Sequence, residues 1–382
     1  MAVATRQIDL FALTGDGLAR FRVRKGSPEA ESVSRALEDQ FVRRIEADPH
    51  RPGRLYATCK ANVAVSDDDG ATWRLLPAAG LDRRHIWTVV PDPHVPDRLY
   101  AGTQPAAFWV SEDGGATFQE STGLRDLASV PYWTFPPPPH EAHVRHIVAD
   151  ARTPGEVLLG VEEGGVVRSR DYGRTWEDLS GPPTQLPRQR PGDGPYAGEP
   201  REAGRVHRDV HVVVRDPARL DTFYAGTGMG AYKTSDGGAT WDWLGDGLPH
   251  YYTTLVVAPP TPPDRVYQTS AGAGPRHWKL PPPSRSGELV VQVGNMPRSE
   301  SGASAAIYRS EDGGRTWALL EGGLPVNDPY MAVSLAAAPN DPAFLVAGYT
   351  DGRIYASDDA GDHWRQLAVE LELAPLLNVV VR

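Results

Sequence analysis

Cysteine is almost absent from this sequence: one residue, Cys59, occurs in 382. A single thiol cannot form an internal disulfide, so the fold does not depend on an oxidising compartment. Blocks rich in lysine or arginine are also missing, and the formal net charge is -10. A chain of this kind has no basic surface to follow a phosphate backbone, which excludes nucleic acid as its main partner.

Long apolar runs are missing as well. No window approaches the roughly eighteen consecutive apolar residues of a membrane span. The N-terminal residues show no basic region followed by an apolar run of signal-peptide length. We therefore predict that the protein has no membrane partner and that it is cytoplasmic.

Glycine and proline, in contrast, are abundant, with 39 and 36 residues. This content is too high for long helices and is not periodic as in collagen, so it favours many short strands joined by tight turns. Hydrophobic residues make up 40% of the chain, and ten of them are tryptophan. A chain of this length and composition can bury a large core.

A short phrase recurs along the chain and organises it. "SEDGGATF" at 111–118 returns as "SEDGGRTW" at 310–317, and both fit the pattern Ser/Thr-x-Asp-x-Gly-x-Thr-aromatic. The pattern occurs six times, with its aspartate at Asp68, Asp113, Asp171, Asp236, Asp312 and Asp359. In the last copy His363 replaces the threonine. We predict that each aspartate accepts hydrogen bonds from its own turn, that the glycine adopts a positive φ, and that the aromatic ring enters the core.

Each phrase belongs to a longer unit of four short strands. An apolar strand that ends in an Asp-Pro-like turn, as in "HIWTVVPDP", is followed by a strand of the type "RLYAGT". A third strand then leads into the phrase, and a fourth follows it. Four strands in a unit of roughly fifty residues, repeated along a chain, are typical of propeller blades.

The two ends of the chain complete the count of blades. The C-terminal strand at 376–382 looks like a first strand, and the N-terminal strands within 6–25 look like a second and a third. Joined, they form a seventh blade and leave no free sheet edge. The sequence thus predicts an all-β, seven-bladed β-propeller that occupies residues 1–382 as a single domain.

The repeated phrase resembles the Asp-box, or BNR repeat, of the sialidase-like and glycosyl-hydrolase-like propellers. A single ring of seven blades is similar to the photosystem-assembly-factor-like and VPS10-like propellers. The resemblance implies that the phrases are structural and lie away from any ligand. Sialidases carry a Phe/Tyr-Arg-Ile-Pro segment that this chain lacks, so classical sialidase activity is not predicted. Xyloglucanases, which the chain also resembles, use two catalytic aspartates. In this chain Asp209 is the one plausible counterpart of such an aspartate.

The first strand of each blade should line a central channel, and function is expected where these strands begin. Polar and aromatic side chains accumulate there and in the neighbouring turns. The candidate ligand-binding residues are Arg43, Trp87, His85, Arg145, His207, Tyr349, Trp133 and Trp278. The candidate catalytic residues are His211, Asp209, His143, Glu162, Glu163 and Tyr251.

Three long insertions feed the same face of the predicted propeller. They span residues 119–142, 181–204 and 271–303, and the first two are rich in proline. Segments of this length inside a compact domain are usually lids or binding loops. We therefore predict a capped pocket at one mouth of the channel.

"RVHRDVHVVV" at 205–214 is the densest candidate stretch. His207, Asp209 and His211 share one face of a strand, which suits either a general-base network or metal ligation. A divalent metal held by these three residues and His143 is possible, although the sequence requires no cofactor. An equally plausible interpretation is that His211 only forms a hydrogen bond to a neighbouring blade.

These observations lead to two alternative functions. The first is a monomeric propeller that binds a small, polar, anionic ligand and acts as a hydrolase or lyase. In it His211 or His143 is the base, Asp209 orients the base, and a glutamate donates the proton. Arg43 and Arg145 bind the anionic groups. The second is a non-catalytic interaction or assembly scaffold, which predicts a broad exposed face without a lid.

Overall fold

The chain forms seven four-stranded antiparallel sheets, which the computed structural model arranges as the blades of a β-propeller. The structure describes residues 7–135, 139–181, 202–260, 262, 264–272, 302–371 and 376–382. The predicted all-β, seven-bladed fold is confirmed. No helix within these ranges has the length and hydropathy that a membrane span requires.

We number the blades along the chain and name the strand nearest the channel first. Blade 1 contains β28 (Leu376–Val381), β1 (Gln7–Thr14), β2 (Gly17–Arg24) and β3 (Ala30–Ala36). Blade 2 contains β4 (Val42–Ala47), β5 (Leu55–Cys59), β6 (Val63–Ser66) and β7 (Arg74–Leu75). Blade 3 contains β8 (His85–Pro91), β9 (Leu99–Gln104), β10 (Ala107–Ser111) and β11 (Gln119–Glu120). Blade 4 contains β12 (His143–Ala149), β13 (Val157–Glu162), β14 (Gly165–Ser169) and β15 (Glu177–Asp178).

The remaining blades follow the same order. Blade 5 contains β16 (Val210–Arg215), β17 (Phe223–Thr227), β18 (Gly230–Thr234) and β19 (Asp242–Trp243). Blade 6 contains β20 (Val256–Val257), β21 (Val266–Ser270), β22 (Ala306–Ser310) and β23 (Ala318–Leu319). Blade 7 contains β24 (Ala332–Ala338), β25 (Asp341–Tyr349), β26 (Ile354–Ser357) and β27 (Arg365–Gln366). Two 3-10 helices, Thr122–Asp126 and Val130–Tyr132, connect blade 3 to blade 4.

The two ends of the chain close the ring, as the sequence predicted. β28 pairs antiparallel with β1, so Val381 lies opposite Leu10 and Leu376 lies opposite Thr14. Leu376, Val379 and Val381 are buried in the core between blades 7 and 1. Blade 1 therefore combines strands from opposite ends of the sequence, and this pairing closes the ring.

The six repeated phrases fold into the same turn between the third and fourth strands of a blade. In the first copy, Ser66 Oγ accepts a hydrogen bond from Gly70 N (2.8 Å), and Asp68 accepts from both the backbone and the hydroxyl of Thr72. Gly70 has a φ of 81° and meets the ring of Phe11, so no side chain fits there. In the sixth copy the His363 imidazole takes the place of the threonine hydroxyl. These turns lie on the opposite face from the start of the inner strands, because the strands of each blade alternate in direction.

A one-residue bulge interrupts the inner strand of most blades at the same level. The pairing register skips one residue in β4, β8, β12, β16, β24 and β28, namely Arg43, Trp87, Arg145, His211, Val333 and Leu377. A bulge breaks the alternation of side chains, so two consecutive residues can point to the same side of the strand. This local irregularity decides which side chains reach the channel.

Candidate functional site

The channel encloses a cavity of about 250 Å³, and its wall is asymmetric. Blades 2 to 5 contribute the charged and aromatic lining, which consists of Arg43, Arg44, Trp87, Arg145, His146 and His211. Blades 6, 7 and 1 contribute an aliphatic or small polar lining, which includes Leu255, Val256, Val333, Ser334, Leu377 and Asn378. A ligand in this cavity would therefore meet cationic groups on one side only.

Glu162, at the end of β13, is the centre of a buried polar cluster. Its Oε2 atom accepts hydrogen bonds from His143 Nε2 (2.9 Å) and from Arg145 Nη1. The side chains of His143 and Glu162 are almost fully buried. All three residues belong to blade 4, where His143 lies directly opposite Glu162 in the pairing of β12 with β13. The sequence prediction that these residues meet near the channel agrees with their placement.

The charges in this cluster keep Glu162 ionised. Burial alone would raise the pKa of its carboxyl, but the Arg145 guanidinium and the His143 imidazole outweigh burial and hold the pKa well below its usual range. Burial alone would lower the pKa of Arg145, but the nearby Glu162 carboxylate outweighs burial and raises it. Glu162 and Arg145 therefore form a fixed ion pair at neutral pH.

Trp87, on β8, links this cluster to the neighbouring blades. Its indole stacks on His143 with 3.9 Å between ring centroids and on His85 with 5.0 Å. The guanidinium of Arg43 lies 4.0 Å from the centroid of the indole. Because these contacts already occupy the ring, Trp87 supports the wall and does not act as a stacking platform for a sugar. Phe135, from insertion 119–142, packs edge-on against His143 at 5.2 Å.

Among the described residues, Arg43 is the guanidinium on this wall without a carboxylate at ion-pair distance. Arg44 lies 3.5 Å from Glu46, and Arg145 is paired with Glu162, whereas Arg43 Nη2 bonds to the imidazole of His85 (3.0 Å). No Asp or Glu oxygen of the described residues lies within ion-pair distance of Arg43. Burial and the positive charge of Arg145 lower the pKa of Arg43 to about 9, so it remains a cation at neutral pH.

His211, at the start of β16, is fixed by two neighbours. Its Nδ1 forms a 2.7 Å hydrogen bond with the carbonyl of Thr253, and its Nε2 lies 3.3 Å from Asp209 Oδ1. Asp209 forms an isolated β-bridge with Glu162 of the preceding blade. Ligand atoms of Glu162, Asp209 and His211 consequently lie within 4.8 Å of one another.

Several predicted residues lie outside this group. The side chain of Tyr251 is exposed and packs on Trp243, and Tyr349 is buried against Tyr355 in blade 7. Tyr252, one position after Tyr251, packs on His211 at 4.9 Å instead, because successive residues of an extended chain point to opposite sides.

The other predicted residues occupy supporting positions. Glu163 is buried next to Arg208 at 3.3 Å, and His207 Nδ1 accepts a hydrogen bond from the backbone of Asp209 (3.3 Å). Trp133 packs near Gly164, which adjoins the turn that carries Glu163. Trp278 lies outside the described residues, as do most of insertions 181–204 and 271–303.

Sequence reasoning missed His146 as a lining residue. Strand alternation would place His143 and Arg145 on one face and His146 on the other, but the bulge at Arg145 turns both Arg145 and His146 into the cavity. A bulge depends on pairing with a distant strand, so no local sequence signal marks it. Tyr252 and Phe135 were missed for a related reason, since their contacts are made with other blades or connections.

The two glutamates do not suit the predicted role of proton donor. A general acid must carry a proton at the working pH, which requires a raised carboxyl pKa. The pKa of Glu162 is instead held far below the neutral range, and Glu163 is paired with Arg208. The geometry supports binding of an anion or a cation more directly than it supports acid catalysis by these carboxyls.

The neutral histidines around the channel predict acid sensitivity. Burial, aided by the charge of Arg43, lowers the pKa of His85 to about 3, and burial lowers that of His207 to about 4. An unperturbed histidine has a pKa of 6.5. As the pH falls from 6.5 towards the lowered pKa values, these histidines take up protons in the unfolded chain but not in the folded protein. The free energy of unfolding should therefore fall as the pH falls, by about 1.4 kcal/mol per pH unit for each such histidine.

Urea unfolding between pH 7 and pH 4 measures this slope. His85→Gln should make it shallower. His363→Gln, at the exposed repeat turn, is the contrasting variant, because Asp359 raises the pKa of His363 and its loss should not make the slope shallower. An identical slope for wild type and His85→Gln would contradict the prediction.

Comparison with known proteins shows similarity to glycoside hydrolases. No protein-family model matches the chain. The oligoxyloglucan-reducing end-specific xyloglucanase of Emericella nidulans is 26% identical over 299 residues, which cover 72% of this chain and 33% of that protein. A probable enzyme of the same description from Neosartorya fischeri is 23% identical over 285 residues, or 69% of this chain and 31% of that protein. The chain thus spans about a third of the length of the curated relatives it matches.

Solved structures show the same fold at low sequence identity. An ancestral GH74 enzyme superposes with a TM-score of 0.55 and 16% identity over 85% of this chain and 38% of its own. YCF48 bound to D1 peptide gives a TM-score of 0.55 and 14% identity over 96% of this chain and 86% of its own. The chain is accordingly a seven-bladed β-propeller with similarity, at a coarse level, to xyloglucanases of the glycoside hydrolase type.

Proposed function

We propose that this propeller binds a small anionic ligand in its central channel, and that Arg43 is the main recognition group. The observation that carries the proposal is that Arg43 forms no direct ion pair with a carboxylate of the described residues, although the Glu162 carboxylate lies near enough to attract it. A partly buried guanidinium favours a planar anion, because its fork of N–H donors matches a carboxylate or phosphate. Arg145, in blade 4, adds to the positive potential around Arg43, which lies in blade 2.

The size of the cavity limits the ligand. Pockets for drug-sized ligands have volumes of about 300–1,000 Å³, and this cavity is about 250 Å³. It suits a single sugar acid or another small carboxylate better than an oligosaccharide. Similarity to xyloglucanases favours a ligand derived from a sugar. The positive charge of the wall favours a sugar that carries a carboxylate.

Two chemistries are compatible with such a ligand. In the first the protein is a hydrolase or lyase in which His211 and Asp209, which lie 3.3 Å apart, supply the acid–base pair. In the second it binds without catalysis, as an interaction scaffold does. The second is supported by the ion pairing of both predicted proton donors, Glu162 and Glu163.

Calorimetric titration with D-glucuronate and D-glucose tests the binding proposal, because the two probes differ by one carboxylate. Glucuronate should bind and glucose should not. Arg43→Met should weaken glucuronate binding by about 10- to 100-fold, the loss expected for a hydrogen-bonded charged group. The exposed Arg174→Met is the matched control.

Equal binding of the two sugars, or unchanged glucuronate binding by Arg43→Met, would refute an anion site at Arg43. Release of nitrophenol from 4-nitrophenyl glucuronide, measured on wild type and His211→Ala, then separates a hydrolase from a binding protein.

A further inference from the structure

We infer that Glu162, Asp209 and His211 form a binding site for one divalent transition-metal ion between blades 4 and 5. Their ligand atoms lie within 4.8 Å of one another, and His211 Nε2 is already 3.3 Å from Asp209 Oδ1. Ligand atoms on a single tetrahedral ion lie about 3–3.5 Å apart, given bond lengths of about 2.0–2.2 Å. Small side-chain rotations therefore bring all three atoms onto one ion.

The tautomer of His211 is the first argument for a cation at this point. The Thr253 carbonyl can only accept, so the 2.7 Å hydrogen bond places a proton on Nδ1 of His211. In the neutral imidazole the lone pair then lies on Nε2, which faces an oxygen of Asp209. Two acceptors at this distance repel one another unless a proton or a metal cation lies between them. A histidine that donates its other ring N–H to a backbone carbonyl is also the usual arrangement of a metal ligand.

Glu162 is prepared for the same role by its neighbours. Both of its hydrogen bonds, from His143 and Arg145, end on Oε2, which leaves Oε1 for a further cation. These donors hold the carboxylate in place and keep it ionised, as outer-shell groups do around metal ligands. The β-bridge between Glu162 and Asp209 sets the spacing of the two carboxylates across the blades.

Gly228 has no side chain, and the Asp209 carboxylate occupies the space where a side chain would lie. A Cβ atom at this position would lie 2.1 Å from Asp209 Oδ2, and the Gly228 N–H donates to the backbone carbonyl of Asp209 (3.0 Å). A side chain at position 228 would displace the carboxylate without removing any ligand. This provides an independent way to disturb the site.

The ligand set differs from the one that the sequence suggested. His207 uses its Nδ1 to accept from the backbone of Asp209, and His143 Nε2 is bonded to Glu162, so neither presents that atom to the ion. One imidazole and two carboxylates favour Zn²⁺ or Mn²⁺ over Mg²⁺ or Ca²⁺, which prefer oxygen ligands alone. Three protein ligands leave a coordination position for water or a substrate, as in catalytic sites.

Equilibrium dialysis of the chelator-treated full-length protein against Zn²⁺, Mn²⁺ and Mg²⁺, with metal analysis, tests the inference. One Zn²⁺ or Mn²⁺ should bind per chain, and Mg²⁺ should bind far more weakly. His211→Ala and Asp209→Asn should lower the affinity by about 100-fold or more, and Gly228→Ala by about 10- to 100-fold.

His363→Ala is the matched control, because His363 and Asp359 form a similar imidazole–carboxylate pair (2.7 Å) on the surface. It should bind metal as wild type does. Arg43→Met should also bind metal normally, which separates this inference from the proposed anion site. Circular dichroism and thermal melting must show that Asp209→Asn is folded.

Absence of stoichiometric Zn²⁺ or Mn²⁺ binding would overturn the inference, and the 3.3 Å contact between His211 and Asp209 would then be a direct hydrogen bond. Equal metal affinity in wild type, Asp209→Asn and Gly228→Ala would overturn it as well. Loss of binding in His363→Ala would assign the metal to the surface pair.

Discussion

Deletion of residues 376–382 is expected to abolish folding of the propeller. These residues form β28, the inner strand of blade 1, which pairs with β1 and buries Leu376, Val379 and Val381 in the core between blades 7 and 1. Each buried aliphatic side chain that is lost costs roughly 2–5 kcal/mol. Three such losses approach the roughly 5–15 kcal/mol that separates a folded domain from its unfolded chain.

Polar contacts add to this effect. Asn378 accepts a hydrogen bond from Ser334 Oγ (2.8 Å) in blade 7 and donates to the carbonyl of Arg43 (3.3 Å) in blade 2. Without β28 the ring would open and expose strand edges that promote aggregation. The truncated protein should show no cooperative thermal transition and should be recovered mainly in the insoluble fraction.

A permuted chain is the control for this deletion. Arg382 pairs through its backbone with Asp9, so the end of β28 lies beside the start of β1. Residues 376–382, joined by a short glycine-containing turn ahead of residue 7, should restore the thermal transition of the wild type. A truncated protein that melts within a few degrees of wild type would show that β28 is dispensable.

Arg145→Met is expected to destabilise the protein by about 3–5 kcal/mol, whereas Arg43→Met should cost far less. Removal of Arg145 leaves the buried Glu162 carboxylate with a hydrogen bond from His143 but without its cationic partner, and an uncompensated buried charge carries a penalty of this size. Removal of Arg43 breaks no direct ion pair among the described residues, and it relieves a repulsion with Arg145 that is larger than the attraction to Glu162. The two arginines lie at the same level of the channel, so they form a matched pair.

Urea unfolding at pH 7 measures the difference in the free energy of unfolding. The double variant Arg145→Met/Glu162→Met should recover part of the loss, because it replaces the whole ion pair by apolar groups. Equal losses for the two single arginine variants would mean that Arg43 is structural. That result would also remove the basis for anion recognition by Arg43.

The turns and the number of blades could be predicted from the sequence because their chemistry is local. The hydrogen bonds among Ser66, Asp68, Gly70 and Thr72 all form within seven residues. Equivalent bonds occur in every copy, with the His363 imidazole in place of the threonine hydroxyl in the sixth. A repeated local unit that cannot bury its own apolar face must stack against copies of itself. The shared blade followed from the same reasoning, since the unpaired strands at the two ends complete one unit.

Part of the candidate site also followed from the pattern of the inner strands. Arg43, Trp87, Arg145 and His211 occupy equivalent positions before the Asp-Pro-like turns, and the structure places all four on the wall of one cavity. The pattern could not show how they are paired. Their partners, such as His85 for Arg43 and Glu162 for Arg145, decide which charge is left for a ligand.

The sequence by itself determined the repeated turn, the seven blades and the level at which polar side chains enter the channel, because each follows from a local pattern that is repeated along the chain. Tertiary structure alone decided that His146 faces the cavity, that Tyr252 and not Tyr251 packs on His211, and that Glu162 lies beside Asp209. These outcomes arise from bulges, ion pairs and contacts between blades. Such interactions form only when the ring brings together residues that are far apart in the chain.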